Sequence, residues 1–130
     1  MQKAVLDAHA DADLRVYAVW FNMVEGDSRE GWSPKLLTDK RVTHLWDEDR
    51  TVGTFFGPRT QTEEMENALA PNSSGLGQAI LWDSYLIFGP ESRWDEGPSG
   101  IRRWGRTILR TQKSLAEAVI DLVGAPAGAK

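Results

Sequence analysis

Two apolar segments with a polar connection between them decide the fold of this chain: QAILWDSYLIFG (residues 78–89) and IRRWGRTIL (residues 101–109). Both are rich in β-branched and aromatic residues, which favour strands. The connection, PESRWDEGPSG, contains the glycine and proline typical of turns. We therefore predict that the two segments pair as a β-hairpin.

Three further segments have strand character. LRVYAVWFNM (residues 14–23) is almost wholly apolar beyond Arg15, as expected for a strand covered on both faces. RVTHLWD (residues 41–47) and TVGTFFG (residues 51–57) are predicted to be short extended pieces. The turn between them allows a second hairpin.

Helical signals occur at four places. Residues 1–9 put Met1, Val5 and Ala8 on one face. Capping patterns, in which a Ser, Thr or Asp is followed three residues later by Glu, predict helix starts at Asp27, Thr60 and Ser114. These helices are expected to end near Leu37, Leu69 and Gly124.

Composition limits the chemistry. We expect one domain over residues 1–124 and a flexible tail over residues 125–130. The net charge of −4 gives no general attraction to nucleic acid or anionic lipid, so neither a nucleic acid nor a membrane is expected as a partner. The chain has no cysteine, which excludes disulfides and thiolate nucleophiles. With no signal-peptide pattern, a soluble, cytoplasmic protein is the expectation.

The order of these elements resembles the thioredoxin-like fold without its first strand, as found in uncharacterised bacterial thioredoxin-like proteins. The stretches that carry the resemblance are VLDAHADADLRVYAVWFNM, LLTDKRVTHLWDEDRTVGTFFG, ILWDSYLIFGP and RWGRTILRT. The resemblance implies an α/β fold: a mixed sheet with flanking helices that ends in the hairpin and a helix.

Two features of that family have no counterpart here. The resemblance implies an upstream strand ending in Cys-x-x-Cys and a cis-proline before the third core strand, where this chain has Asp83-Ser84. No catalytic residue can therefore be carried over, and no cofactor is expected. In the family the first strand lies centrally, between the equivalents of residues 14–23 and 81–89. Its absence would leave two apolar strand edges unpaired, which is costly when they are buried. The strands would pair with each other, recruit another segment or accept a strand from a second copy, and for the last reason we predict a homodimer.

The segment HLWDEDR (residues 44–50) is the first candidate ligand site. His44, Trp46, Asp47 and Glu48 are its candidate residues, because carboxylates suit hard cations. The alternative is a solvated turn anchored by Trp46, since side chains that alternate along a strand cannot all point to one ion. No recognised metal-binding motif is present, and no metal ligand is predicted.

A second candidate site combines Asp83 with Arg102, Arg103 and Arg106. An ionised Asp83 within an apolar strand needs a partner, which the arginines could supply. The group could serve acid–base chemistry or bind a small anionic ligand. The alternatives are that Asp83 accepts hydrogen bonds from a neighbouring turn and that the arginines neutralise acidic segments near Asp47 and Asp95.

Three functions remain open from the sequence. The first is a redox-inactive thioredoxin-like domain that acts as a binding or interaction module, with a protein partner or a small ligand. The second is a small non-redox enzyme using carboxylate and arginine chemistry near Asp83. The third is a fragment of a longer thiol-disulfide oxidoreductase.

Overall fold

A computed structural model describes residues 1–74 and 77–125. Its elements are the N-terminal helix Gln2–Asp7, strand β1 Val16–Trp20, a 3₁₀ turn Pro34–Leu36, strand β2 Val42–Trp46, helix α1 Thr51–Phe56, a 3₁₀ turn Pro58–Gln61, helix α2 Glu63–Asn67, strand β3 Ser84–Phe88, strand β4 Ile101–Arg106 and helix α3 Ile108–Val123. The chain is thus a mixed α/β protein, as predicted, but its described strands form two small sheets and not the single mixed sheet that was expected. Apart from Ala125, the predicted tail lies outside the described residues.

The four strands form two separate sheets of two strands each. Strands β1 and β2 pair in parallel, with Val16 opposite Val42. Strands β3 and β4 pair antiparallel, so the predicted hairpin is confirmed. The second hairpin allowed between residues 41–47 and 51–57 is wrong, because β2 pairs with β1 and the latter segment is helical.

Strand β1 is much less covered than its sequence predicts. None of its five residues is fully buried, and the Tyr17 side chain is 63% exposed. Leu45 of β2 is 46% exposed. It lies opposite Val19 and therefore on the same face as Tyr17. One face of the β1–β2 sheet is consequently open, and the expectation of a strand covered on both faces is wrong.

The β3–β4 hairpin, by contrast, lies between two apolar clusters. Trp104 is fully buried on one face and donates its indole N–H to the Met65 carbonyl at 2.6 Å. The cluster around Trp104 contains Phe56, Met65, Ala68 and Leu81, and Leu86 and Phe88 pack against it. The opposite cluster contains Val5, Leu115 and Val119, and Tyr85 and Ile87 pack against it. Helices α1 and α2 thus contribute to the cover on one face, and the N-terminal helix and α3 to that on the other.

Three predicted helices differ from the structure, each because of contacts outside the local capping pattern. Helix α3 begins at Ile108, well before Ser114, and the Ile108 amide is hydrogen-bonded to the Asp83 carbonyl at 3.2 Å. The Asp27 carboxylate accepts the amides of Val24 and Met23 in the preceding turn, which lowers its pKa, instead of capping a helix after it. The predicted helix at 27–37 is therefore reduced to the 3₁₀ turn Pro34–Leu36.

The helix predicted from Thr60 corresponds only in part, and the extended piece predicted at residues 51–57 is wrong. The segment predicted from Thr60 consists of a 3₁₀ turn and the short helix α2, whose cap is Thr62. At residues 51–57 the structure contains helix α1 where an extended piece was predicted. Helix α3 does end at Val123, followed by Gly124 with a positive φ of 85°, in agreement with the predicted stop.

Arg41 joins the N-terminal helix to the start of β2. Its guanidinium donates to the carbonyls of Leu6, His9 and Ala12 at 2.7–2.9 Å, all at or after the end of that helix. Asp39 holds the same guanidinium through two hydrogen bonds at 2.7 and 2.9 Å. Carbonyl groups at a helix end lack partners within the helix. Arg41 supplies those partners and fixes the helix against the β1–β2 sheet.

We predict that Gly105→Ala destabilises the protein by about 1–3 kcal/mol, the range for overpacking a tight core. A Cβ at Gly105 would lie 2.8 Å from Tyr85 Cε1 and 2.9 Å from Thr111 Oγ1. The matched control is Gly97→Ala, because a Cβ at Gly97 meets no atom within 4 Å. Urea unfolding measures both variants. An equal midpoint for the two would show that the contact between β4 and α3 is not as close as described.

A second prediction concerns acid stability. Side-chain hydrogen bonds from Arg41 lower the pKa of Asp39 from 3.8 to about 2. A carboxyl group whose pKa is lower in the folded protein than in the unfolded protein contributes stability at pH values above the unfolded pKa. That contribution is lost as the pH falls through the folded pKa. The difference in melting temperature between wild type and Asp39→Asn should thus be present at neutral pH and shrink between pH 3.8 and about 2. The control is Asp49→Asn, because Asp49 is exposed. Its melting temperature at neutral pH should equal that of wild type. A constant difference for Asp39→Asn would contradict the role of the Asp39–Arg41 pair.

Candidate functional site

The segment HLWDEDR connects the end of β2 to the start of α1. The Asp47 carboxylate accepts the backbone amides of Thr51 at 2.9 Å and Val52 at 2.7 Å, so it caps the first turn of α1. Trp46 donates its indole N–H to Glu48 Oε2 at 2.6 Å. Among the described residues, no group of three or more His, Asp or Glu side chains is placed to hold a metal ion. The candidate residues Trp46, Asp47 and Glu48 therefore engage in local hydrogen bonds.

His44 belongs to an aromatic group with Trp20 and Trp32. The ring centroids of Trp20 and Trp32 are 5.5 Å apart in a stacked arrangement, and Trp32 lies 5.2 Å from His44. The Trp20 indole N–H donates to His44 Nδ1 at 3.1 Å, which requires that this nitrogen is unprotonated. His44 Nε2 lies 2.9 Å from the Leu37 carbonyl and must donate to it. Both ring nitrogens are thus engaged, and His44 serves to hold β1, β2 and the loop before β2 together.

Asp83 lies just before β3 and is exposed, not inside an apolar strand. Its backbone has a positive φ of 49°, and its Oδ1 accepts the Ile108 amide at 3.3 Å. In the described part of the chain, no ion pair joins Asp83 to Arg102 or Arg103. Asp83 therefore contributes to the start of α3, which is the turn-bonding alternative considered from the sequence.

The three candidate arginines have separate environments. Arg102 forms an exposed ion pair at 2.5 Å with Glu91, in the acidic connection that also contains Asp95, so for this arginine the neutralising alternative is confirmed. Arg106 donates from Nε to the Trp82 carbonyl at 3.1 Å, and its guanidinium lies over the Trp82 ring. Arg103 lines a cavity beside α3. The structure thus distributes the predicted arginine group over different contacts.

Strand edges without partners are the most unusual feature of the fold. The Val16 amide donates to the Arg41 carbonyl, and the Trp20 carbonyl accepts the Asp47 amide. Arg41 and Asp47 flank β2, so Val16, Ala18 and Trp20 are the residues of β1 whose backbone groups point toward β2. Because the backbone groups of successive residues point to opposite edges, those of Tyr17 and Val19 point away from β2. No hydrogen bond to them occurs in the described residues outside the β1–β2 pair.

Strand β3 has a free edge of the same kind. The outer edge of β4 is covered, because Trp104 exchanges backbone hydrogen bonds with Ala68 and Ala70. By the same alternation, Arg103 and Gly105 pair with β3, which leaves the backbone groups of Ser84 and Leu86 pointing away from β4. Within the ranges that the structure describes, no backbone partner reaches that edge of β3.

The two strands with free edges share neighbouring residues at both ends of β1, although they do not pair with each other. Leu14, just before β1, packs in the cluster that Tyr85 and Ile87 also join. At the other end of β1, the Phe21 ring packs on Gly53 of α1, so that a Cβ added to Gly53 would lie 3.1 Å from Phe21 Cζ. The Gly53 carbonyl in turn accepts the amide of Leu81, just before β3. The start of β1 is therefore near β3 itself, and its end is near the residues that precede β3. We call the space between these strands the β1–β3 gap.

Sequence reasoning missed several residues that hold this region together. Arg41 was not singled out, because its carbonyl partners lie 29 to 35 positions away. Trp32 lies in a loop with no periodic pattern, and its stacking on Trp20 depends on the folded chain. The free edge of β1 was anticipated only through the missing strand of the thioredoxin-like order.

We predict that Asp47→Ala lowers the free energy of unfolding by about 0.5–2 kcal/mol, as expected for loss of a helix cap. Asp49→Ala, in the same turn but exposed, is the matched control and should change it little. Urea unfolding measures both variants. Millimolar Mg²⁺ or Ca²⁺ should leave the melting temperature of wild type unchanged. A rise of several degrees in wild type that Asp47→Ala abolishes would instead establish a cation site.

Comparison with known proteins gives no independent assignment. No protein-family model, curated protein or solved structure matches the chain. Within the described residues, none of the helices has both the length and the apolar character that a membrane crossing requires.

Proposed function

We propose that this chain is a redox-inactive, thioredoxin-like interaction module that binds one extended segment in the β1–β3 gap. The observation that carries the proposal is the division of four strands into two sheets, with free edges on β1 and β3. Extended peptide segments commonly bind to such an edge as an added strand, because main-chain hydrogen bonds supply affinity without a specific side-chain motif.

The thioredoxin-like order supports the position of the gap. In that order the strand with no counterpart in this chain lies between the equivalents of β1 and β3. These two strands do not pair with each other in the part of the chain that the structure describes. A segment in the gap would pair with the free edge of each strand and would complete a mixed sheet.

The chemistry of the gap favours an apolar segment. The β3 side chains contact apolar clusters on both faces of the hairpin. A strand added beside β3 would therefore be covered on both faces, and such strands are near-continuously apolar. The chain has no cysteine, so binding at the gap would not be accompanied by thiol–disulfide exchange.

A second copy of the chain is the partner that we propose. Two copies that each lack a strand partner can satisfy one another by a symmetric exchange, which needs no additional protein. The exposed apolar side chains Tyr17 of β1 and Leu45 of β2 lie on one face of that sheet and would be covered by the second copy. The module is thus expected to be a homodimer.

We predict a dimer at micromolar concentration and a monomer for Tyr17→Pro, measured by light scattering coupled to size exclusion. Proline removes the N–H that points into the gap but leaves the β1–β2 hydrogen bonds intact. Tyr17→Thr keeps that N–H and loses only the ring, so it should remain largely dimeric. Ala18→Pro removes a hydrogen bond to β2 and should unfold the sheet itself.

Two results would contradict the proposal. One is a wild-type protein that is monomeric at all micromolar concentrations tested. The other is a Tyr17→Pro variant that stays dimeric with an unchanged dissociation constant, since strand addition at β1 needs the Tyr17 amide. Circular dichroism must show that each variant compared is folded.

A further inference from the structure

A cavity of about 310 Å³ lies between β4 and the last turns of α3. Its lining residues are Arg102, Arg103, Ala118, Asp121 and Leu122. Small-molecule sites start at about 300 Å³, so the volume suits a ligand of amino-acid size. The cavity is separate from the free edges of the strands, because β4 and α3 do not contribute those edges.

Arg103 provides a positive charge at this cavity. In the hairpin, Arg103 of β4 lies opposite Ile87 of β3, whose side chain packs against α3. Because side chains of directly opposed residues lie on the same face, the Arg103 side chain lies on the face that α3 covers. Its Nε is buried and has no hydrogen-bond partner in the part of the chain described. A buried N–H without a partner is costly, and native proteins rarely leave one unpaired. Nε itself is closed to a ligand, but Arg103 lines the cavity and has no ion pair among the described residues, so its guanidinium charge is available to an anionic group bound there.

Asp121 provides the opposite charge. It is exposed on α3 and has no ion pair or hydrogen bond among the described residues. Arg103 and Asp121 line one cavity without pairing with each other. The neighbouring Arg102 is already engaged by Glu91. The cavity therefore presents one available cation and one available anion.

This charge arrangement selects the class of ligand. A phosphate or other polyanion would be repelled by Asp121, and a simple amine would be repelled by Arg103. A zwitterion satisfies both groups. Ala118 and Leu122 add apolar surface for a hydrocarbon side chain. We propose that the cavity binds a zwitterionic amino acid with an apolar side chain, whose carboxylate is bound by Arg103 and whose ammonium group is bound by Asp121.

Three probes of matched shape test the proposal by isothermal titration calorimetry. L-leucine carries both charges, 4-methylpentanoate lacks the ammonium group, and 3-methylbutylamine lacks the carboxylate. We expect leucine to bind about tenfold or more tightly than either analogue, because each charge-assisted hydrogen bond contributes that much. No detectable binding of leucine at millimolar concentration, or equal binding of 4-methylpentanoate, would overturn the proposal.

Variants identify the binding groups. Arg103→Met and Asp121→Asn should each weaken leucine binding about tenfold or more. Their matched controls are Arg110→Met and Glu117→Gln, exposed residues of α3 that do not line the cavity and should leave binding unchanged. Wild-type affinity in both Arg103→Met and Asp121→Asn would overturn the assignment.

NMR of the wild-type protein tests the location of the binding site without any substitution, so its result does not depend on whether a variant folds. Leucine should shift the backbone amide signals of Ala118, Asp121 and Leu122 and leave those of β1 unchanged. Shifts confined to residues elsewhere would overturn the proposed location.

Discussion

The requirement that backbone amides find partners governs this fold. A buried strand edge without hydrogen bonds is costly, and closed or covered edges are the usual solution. The chain meets the requirement on the outer edge of β4, where residues 68–74 accept and donate the needed hydrogen bonds. It does not meet it on the inner edges of β1 and β3 within the described residues. The architecture is therefore complete around the hairpin and incomplete between the two sheets.

Side chains, rather than a continuous sheet, hold the two halves together. Arg41 ties the N-terminal helix to β2 through three carbonyls, and that helix packs on α3 through Val5. Phe21 reaches α1 at Gly53, which in turn bonds to Leu81. A guanidinium bonded in this way is directional, because its planar donors fit only one arrangement of acceptors. The separation of the sheets is thus maintained by specific contacts at both ends of β1.

The sequence predicted elements whose signal is local and missed those that depend on distant contacts. The hairpin of β3 and β4 was predictable because its strands are continuous apolar segments and pair with their nearest neighbour in the chain. Helix α1 was missed because TVGTFFG has strand-like composition, and the Asp47 cap that favours the helix precedes it by four residues. The start of α3 depends on Asp83, which is far away in sequence. The predicted site residues did not assemble because each has a different structural partner: Trp46 bonds to Glu48, Asp47 caps α1, Asp83 bonds to the Ile108 amide and Arg102 pairs with Glu91.

The unequal burial of the two sheets bears on how a segment in the gap would act. Strand β3 is half-buried along its whole length and lies between two apolar clusters, whereas Tyr17 of β1 is exposed and one face of the β1–β2 sheet is open. Regions with few buried apolar contacts open at low free-energy cost. A bound segment would therefore gain hydrogen bonds along both edges but order mainly the β1 side. Because Trp20 at the end of β1 is stacked on Trp32 and bonded to His44, that ordering would extend across the aromatic group to β2. If a segment binds at the gap as proposed, its binding and the stability of the β1–β2 sheet would be parts of one equilibrium.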